Sequence, residues 1–149
     1  MARVLIVGCG CRGRELGREL RARGHAVRGT SRGEPGRAAI EADGLEGVVA
    51  DPGRLATLVP QLQGVTVLCW LMGGADDPAL HGERFETLLE TLVDTHVRGV
   101  VHESAAAEPH AERARATYAM PVVLVDEPAS DPGRWLAASL AAVEAVLAA

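Results

Sequence analysis

Short apolar runs of strand length alternate with amphipathic segments from one end of the chain to the other, and this alternation restricts the fold more than any other feature. The predicted strands cover residues 4–7, 26–30, 47–50, 65–71, 99–102 and 122–125. The predicted helices cover 13–23, 34–42, 52–62, 78–95, 109–118 and 132–148. Leu16 and Leu20 stand four apart among charged residues, and Leu55, Leu58, Val59 and Leu62 share one helical face. The strands are apolar on both faces, as in a parallel sheet covered by helices on either side. Right-handed crossovers then give a three-layer, doubly wound α/β domain with a six-stranded parallel sheet in the order 3-2-1-4-5-6. No linker, repeat or shift in composition divides the 149 residues, so one domain over 1–149 is expected.

Composition removes several kinds of chemistry. All 15 basic residues are arginine, and the chain has no lysine. Schiff-base catalysis, a lysine-bearing phosphate loop and a Tyr/Lys hydride-transfer pair are therefore excluded. A net charge of −5 and an aromatic content of 3% speak against a nucleic-acid partner. The apolar run before Gly8 is too short for a membrane span or a signal-peptide core, so no membrane partner and a cytoplasmic location are expected. The 3 cysteines give no disulfide framework. His81, His96 and His110 lack ligand spacing, so no metal is expected.

The loop Gly8-Cys9-Gly10-Cys11-Arg12-Gly13 follows the first strand and opens the first helix, and its glycines fit G-x-G-x-x-G. Gly8 suits a tight turn, Gly10 lets a pyrophosphate approach the backbone, and Gly13 lets helix and strand pack closely. Other helices begin at acid–proline pairs (Glu34-Pro35, Asp51-Pro52, Asp77-Pro78, Glu108-Pro109, Asp131-Pro132), which read as caps. The first helix has no such start, so its N–H groups and dipole are left to an anion. After the second strand, Arg28-Gly29-Thr30-Ser31-Arg32 lacks the acid that holds a ribose in an NAD site. Arg32, helped by Thr30 and Ser31, suits a 2′-phosphate, with Arg12 as a second charge, so NADP is expected in preference to NAD.

The glycine loop, together with the segment from Gly24 to Arg32, resembles the extended and atypical short-chain dehydrogenase/reductases, nearest the NAD-dependent epimerase/dehydratase-like and NmrA-like members. The resemblance implies an NAD(P)-binding Rossmann domain. It extends to Asp51, which the family often uses to hold adenine, and to Leu71, Met72 and Gly73, where the family's backbone passes the cofactor.

The pattern then breaks. Ser104 in His102-Glu103-Ser104 matches the family serine, and Tyr118 lies near the family's tyrosine spacing, but Val122 stands where the lysine belongs. Without that lysine, Tyr118 has no reason to act as an acid or base near neutrality. Ser104 and His102, placed to point together, remain weak catalytic candidates. The substrate-binding region of extended members is also expected to be missing, and a homodimer could supply one pocket wall. The function expected is a non-catalytic NADP(H)-binding module or sensor, the alternative being an NADP-dependent oxidoreductase of the atypical type.

Overall fold

The computed structural model describes residues 2–72, 77–128 and 130–149. Six strands, β1 (Arg3–Val7), β2 (Ala26–Ser31), β3 (Glu46–Val49), β4 (Val67–Trp70), β5 (Gly99–His102) and β6 (Val122–Leu124), form one sheet. Its order is β3-β2-β1-β4-β5-β6, and each strand pairs with its neighbours in parallel. The helices are α1 (Cys11–Ala22), α2 (Glu34–Ala42), α3 (Leu55–Leu58), α4 (Glu83–Leu92), α5 (Glu108–Tyr118) and α6 (Pro132–Ala148). This is the Rossmann arrangement expected from the alternation of elements.

The side-chain alternation of a strand divides the core into two layers. Val4 and Ile6 of β1 pack with Leu16, Leu20, Ile40, Trp135 and Val143, on the side of α1, α2 and α6. Leu5 and Val7 pack with Leu58, Phe85, Leu88, Leu92 and Ala111, on the side of α3, α4 and α5. Burial on both faces explains why the strands carry no polar alternation.

Two predicted helices are interrupted. In 52–62, α3 gives way at once to a 3₁₀ turn, Val59–Leu62. Pro60 lies inside that stretch, has no N–H to give, and prevents α-helical continuation. In 78–95, a 3₁₀ turn at Pro78–Leu80 is followed by α4, which starts only after Gly82. Glycine in a helix interior costs backbone entropy, and here it marks the break. In the opposite sense, α1 begins at Cys11, two residues earlier than expected.

Only two of the acid–proline pairs cap as expected. Asp77 accepts from Ala79 N at 3.0 Å, and Asp131 accepts from Arg134 N at 3.2 Å. Glu34 and Glu108 are themselves the first helical residues, where they favour the dipole without capping. Asp51 closes a turn ahead of α3 by accepting from Gly53 N at 2.8 Å.

Gly29 of β2 lies beneath the glycine loop. A Cβ added there would come within 2.6 Å of Cys9 Sγ and 3.2 Å of Ile40 Cγ2. Gly29→Ala should therefore destabilise the fold by about 1–3 kcal/mol. Urea unfolding monitored by circular dichroism checks this, and an unchanged midpoint would contradict it.

Candidate functional site

The turn from β1 into α1 puts backbone where other folds put side chains. Gly8 has φ +85°, and a Cβ there would lie 2.5 Å from Leu71 O. A side chain at Gly13 would press on Gly8 O at 3.2 Å and Ile6 at 3.3 Å. Gly10 differs from both. Its φ of −82° is open to any residue, and an added Cβ would meet nothing within 4 Å among the described residues. Neither backbone strain nor packing among the described residues requires glycine at this position.

Gly10 is the N-cap of α1, contributes no side-chain cap, and is followed by no acid in the first turn. The N–H groups of that turn keep their positive end free for an anion. Before them opens a cleft of about 630 Å³ at the C-terminal edge of the sheet, the usual ligand position of open α/β folds. It is lined by Gly8, Cys9 and Gly10 of the loop, by Thr30, Ser31 and Arg32 after β2, and by Asp51 and Met72. Arg14, Gly36, Ala50, Pro52, Gly53, Asp77 and Leu80 complete the wall. Arg32 is exposed, with no ion-pair or hydrogen-bond partner among the described residues.

Other expected site residues lie elsewhere. Gly13 and Leu71 support the loop from below without lining the cleft, and Gly73 lies outside the described residues. Cys11 is exposed and accepts from Arg14 Nη2 at 3.5 Å. Arg12, expected as a second phosphate charge, does not line the cleft. Its Nη1 donates to Glu103 Oε2 at 2.6 Å, and its guanidinium stacks 5.0 Å from the Trp135 ring. Trp135 Nε1 donates to the same oxygen at 2.5 Å. Glu103 is 6% exposed, so Arg12 is drawn to a buried carboxylate. The α1 cation that lines the cleft is Arg14, two residues further along.

The weak catalytic candidates differ in burial. His102 is wholly buried, its ring 4.3 Å from Phe85 and 5.3 Å from His81, and neither ring nitrogen makes a hydrogen bond. Ser104 lies beyond the end of β5, where its hydroxyl accepts from Ala106 N at 3.1 Å to cap a 3₁₀ turn. Tyr118 ends α5, half-buried against the core, while Val122 lies in β6. The one-turn spacing of a Tyr/Lys pair is thus broken in structure as well as in sequence.

The thiols of the site are quiet. Burial pushes both Cys9 and Cys69 up to about 12, so each stays protonated near neutrality. Among the described residues, no group of three or more His, Cys, Asp or Glu could hold a metal ion, and no helix is long and apolar enough to cross a membrane.

Burial, followed by the neighbouring His81, lowers His102 from 6.5 to about 3. Between these values the unfolded chain binds a proton that the folded chain refuses, so stability falls as pH drops below 6.5 and continues to fall toward about 3. Denaturant titrations across this range should show a shallower acid loss in His102→Leu than in the wild type. Parallel pH profiles would contradict the assignment.

No family model and no curated protein matches the sequence. Solved structures match its fold. A Bacillus cereus UDP-glucuronic acid 4-epimerase mutant in complex with NAD superposes with a TM-score of 0.63 at 13% identity, covering 82% of this chain and 55% of that one. Citrobacter sp. triphenylmethane reductase complexed with NADP(H) gives 0.67 at 18% identity, over 84% of this chain and 49% of that one. An NADPH-dependent quinone oxidoreductase from Escherichia coli gives 0.61 at 20% identity, over 83% and 46%. The expected resemblance to epimerase- and reductase-type Rossmann proteins is met at the level of fold, and the chain spans about half the length of these proteins.

Proposed function

We propose that the chain binds a nicotinamide dinucleotide, NADP(H) in preference to NAD(H), as a binding module or sensor rather than as a hydride-transfer enzyme. The observation that carries this reading is Gly10. It lacks a side chain without any internal reason, and it lies where α1 directs its free N–H groups into the cleft. Space for a ligand's phosphates accounts for both features. The neighbours solved with NAD or NADP(H) support the same class of ligand.

The chain's residues fit such a group in parts. The first-turn N–H groups of α1 at Cys11, Arg12 and Gly13 would receive the pyrophosphate across the bare Gly10, since Cys9 N and Gly10 N donate to Thr30 O and Gly8 O, and Asp51 in the cleft lining would meet the adenine, as the resemblance implies. Thr30, Ser31 and the unpaired Arg32 would face the adenosine ribose, and their lack of a carboxylate favours a 2′-phosphate there. When bound, the nicotinamide supplies hydride chemistry. The chain offers no Tyr/Lys pair to move the accompanying proton, and both His102 and Ser104 are engaged in packing and capping. These observations favour the module over the oxidoreductase.

Two variants test the reading by calorimetry. Gly10→Val should keep its thermal midpoint, since its side chain enters open space, and should lose NADPH binding. A folded variant that binds as well as the wild type would remove the loop from the site. Arg32→Ala should weaken NADPH by about 1.5–3 kcal/mol, roughly 10- to 100-fold, with a smaller effect on NADH. Equal losses for the two would show that Arg32 does not distinguish them.

A further inference from the structure

We propose that Arg14 is a specificity-determining residue of the cleft, reading the 2′-phosphate of the adenosine ribose together with Arg32, and that Asp43 positions it. This rests on the dinucleotide reading above.

Arg14 follows the third glycine of the loop, and it lines the same cleft as Ser31 and Arg32. Its Nε donates to Asp43 Oδ2 at 2.8 Å. Asp43 is the C-cap residue of α2 and is shared with Arg18, whose Nη1 lies 3.1 Å from the same oxygen. Anchoring through Nε holds the guanidinium plane while leaving its outer edge to a ligand. Among the described residues Nη2 is engaged only with Cys11 Sγ, at 3.5 Å, a weak acceptor. A planar fork held at one edge offers parallel N–H groups at the other, the arrangement that suits a phosphate. Because Asp43 already orders the side chain, less rotamer entropy remains to be lost on binding.

The charges agree. One carboxylate faces both Arg14 and Arg18, and Arg32 adds a further cation to the cleft lining. Asp51 and Asp77 also line the cleft. A phosphate is drawn toward the arginines and repelled from the acids. The position also separates two phosphate jobs. The first-turn N–H groups of α1 after Gly10 serve the pyrophosphate, whereas the side chains of Arg14 and Arg32 come from α1 and from the end of β2.

The test is calorimetry on the full chain with NADP⁺, NAD⁺ and 2′,5′-ADP, with thermal unfolding to establish that each variant folds. R14A should weaken NADP⁺ and 2′,5′-ADP by roughly 10- to 100-fold and lower the NADP⁺/NAD⁺ affinity ratio. R14Q, which keeps more of the side chain, should do the same, and R14K should recover part of the ratio. D43N keeps an oxygen for Nε while removing a negative charge, so the ratio should rise, opposite to the effect of R14A. An unchanged ratio in R14A and R14Q, or a ratio that falls in D43N, overturns the proposal. If the wild type binds neither NADP⁺ nor NAD⁺, the dinucleotide reading itself fails. If the wild type prefers NADP⁺ and R14A keeps that preference, only the assignment of Arg14 fails.

Discussion

Close approach of backbone at the turn from β1 into α1 is the constraint on which the cleft depends. Gly13 brings the first turn of α1 against Gly8 and Ile6, and Gly29 gives Cys9 its place on β2. Further along α1, a side chain at Gly17 would come within 2.5 Å of Leu45. Glycines thus seat the helix low on the sheet along its length. A helix lifted by even one methyl layer would carry its N–H groups away from the cleft floor. The same packing buries Cys9 and keeps its thiol protonated, so Cys9 offers the cleft no thiolate.

Charge is distributed with equal economy. Cations that face inward are matched, as with Arg12 on Glu103, or Arg28, whose Nε donates to Glu46 at 3.0 Å and whose Nη1 donates to Gln61 O at 2.6 Å. Those interactions tie elements together and leave little for a ligand. On the cleft, Arg32 is unmatched among the described residues, and Arg14 shares its only carboxylate. The asymmetry distinguishes structural arginines from those able to meet an anion. Arg84 belongs to the first kind, donating from α4 to Gly53 O and so bracing the wall that holds Asp51.

The alternation of elements made the sheet legible, because apolar runs with no polar side could only be buried strands, and β5, α2 and α6 fall at their expected bounds. Pro60 and Gly82 were visible as breakers, yet the apolar spacing through 52–62 and 78–95 carried the helical reading past them. The glycine loop was equally plain. Which arginine served it was not, because two residues of helix turn a side chain through about 200°. Arg12 and Arg14 therefore face different surroundings although both adjoin the motif. The expected pairing of His102 with Ser104 carries a strand rule past the end of the strand. Side-chain alternation holds within a strand, and β5 ends at His102, so Ser104 no longer follows its period.

The Arg12–Glu103–Trp135 network also bears on the order of assembly. Its members come from α1, the residue after β5, and α6, with separations of 91 and 32 residues between bonded partners. Contacts this distant in sequence form late, since long loops must close before they are rewarded. During synthesis the glycine loop emerges early, but the carboxylate that draws Arg12 aside and the indole that covers it arrive with the last third of the chain. Helix α6 therefore finishes a surface begun at α1.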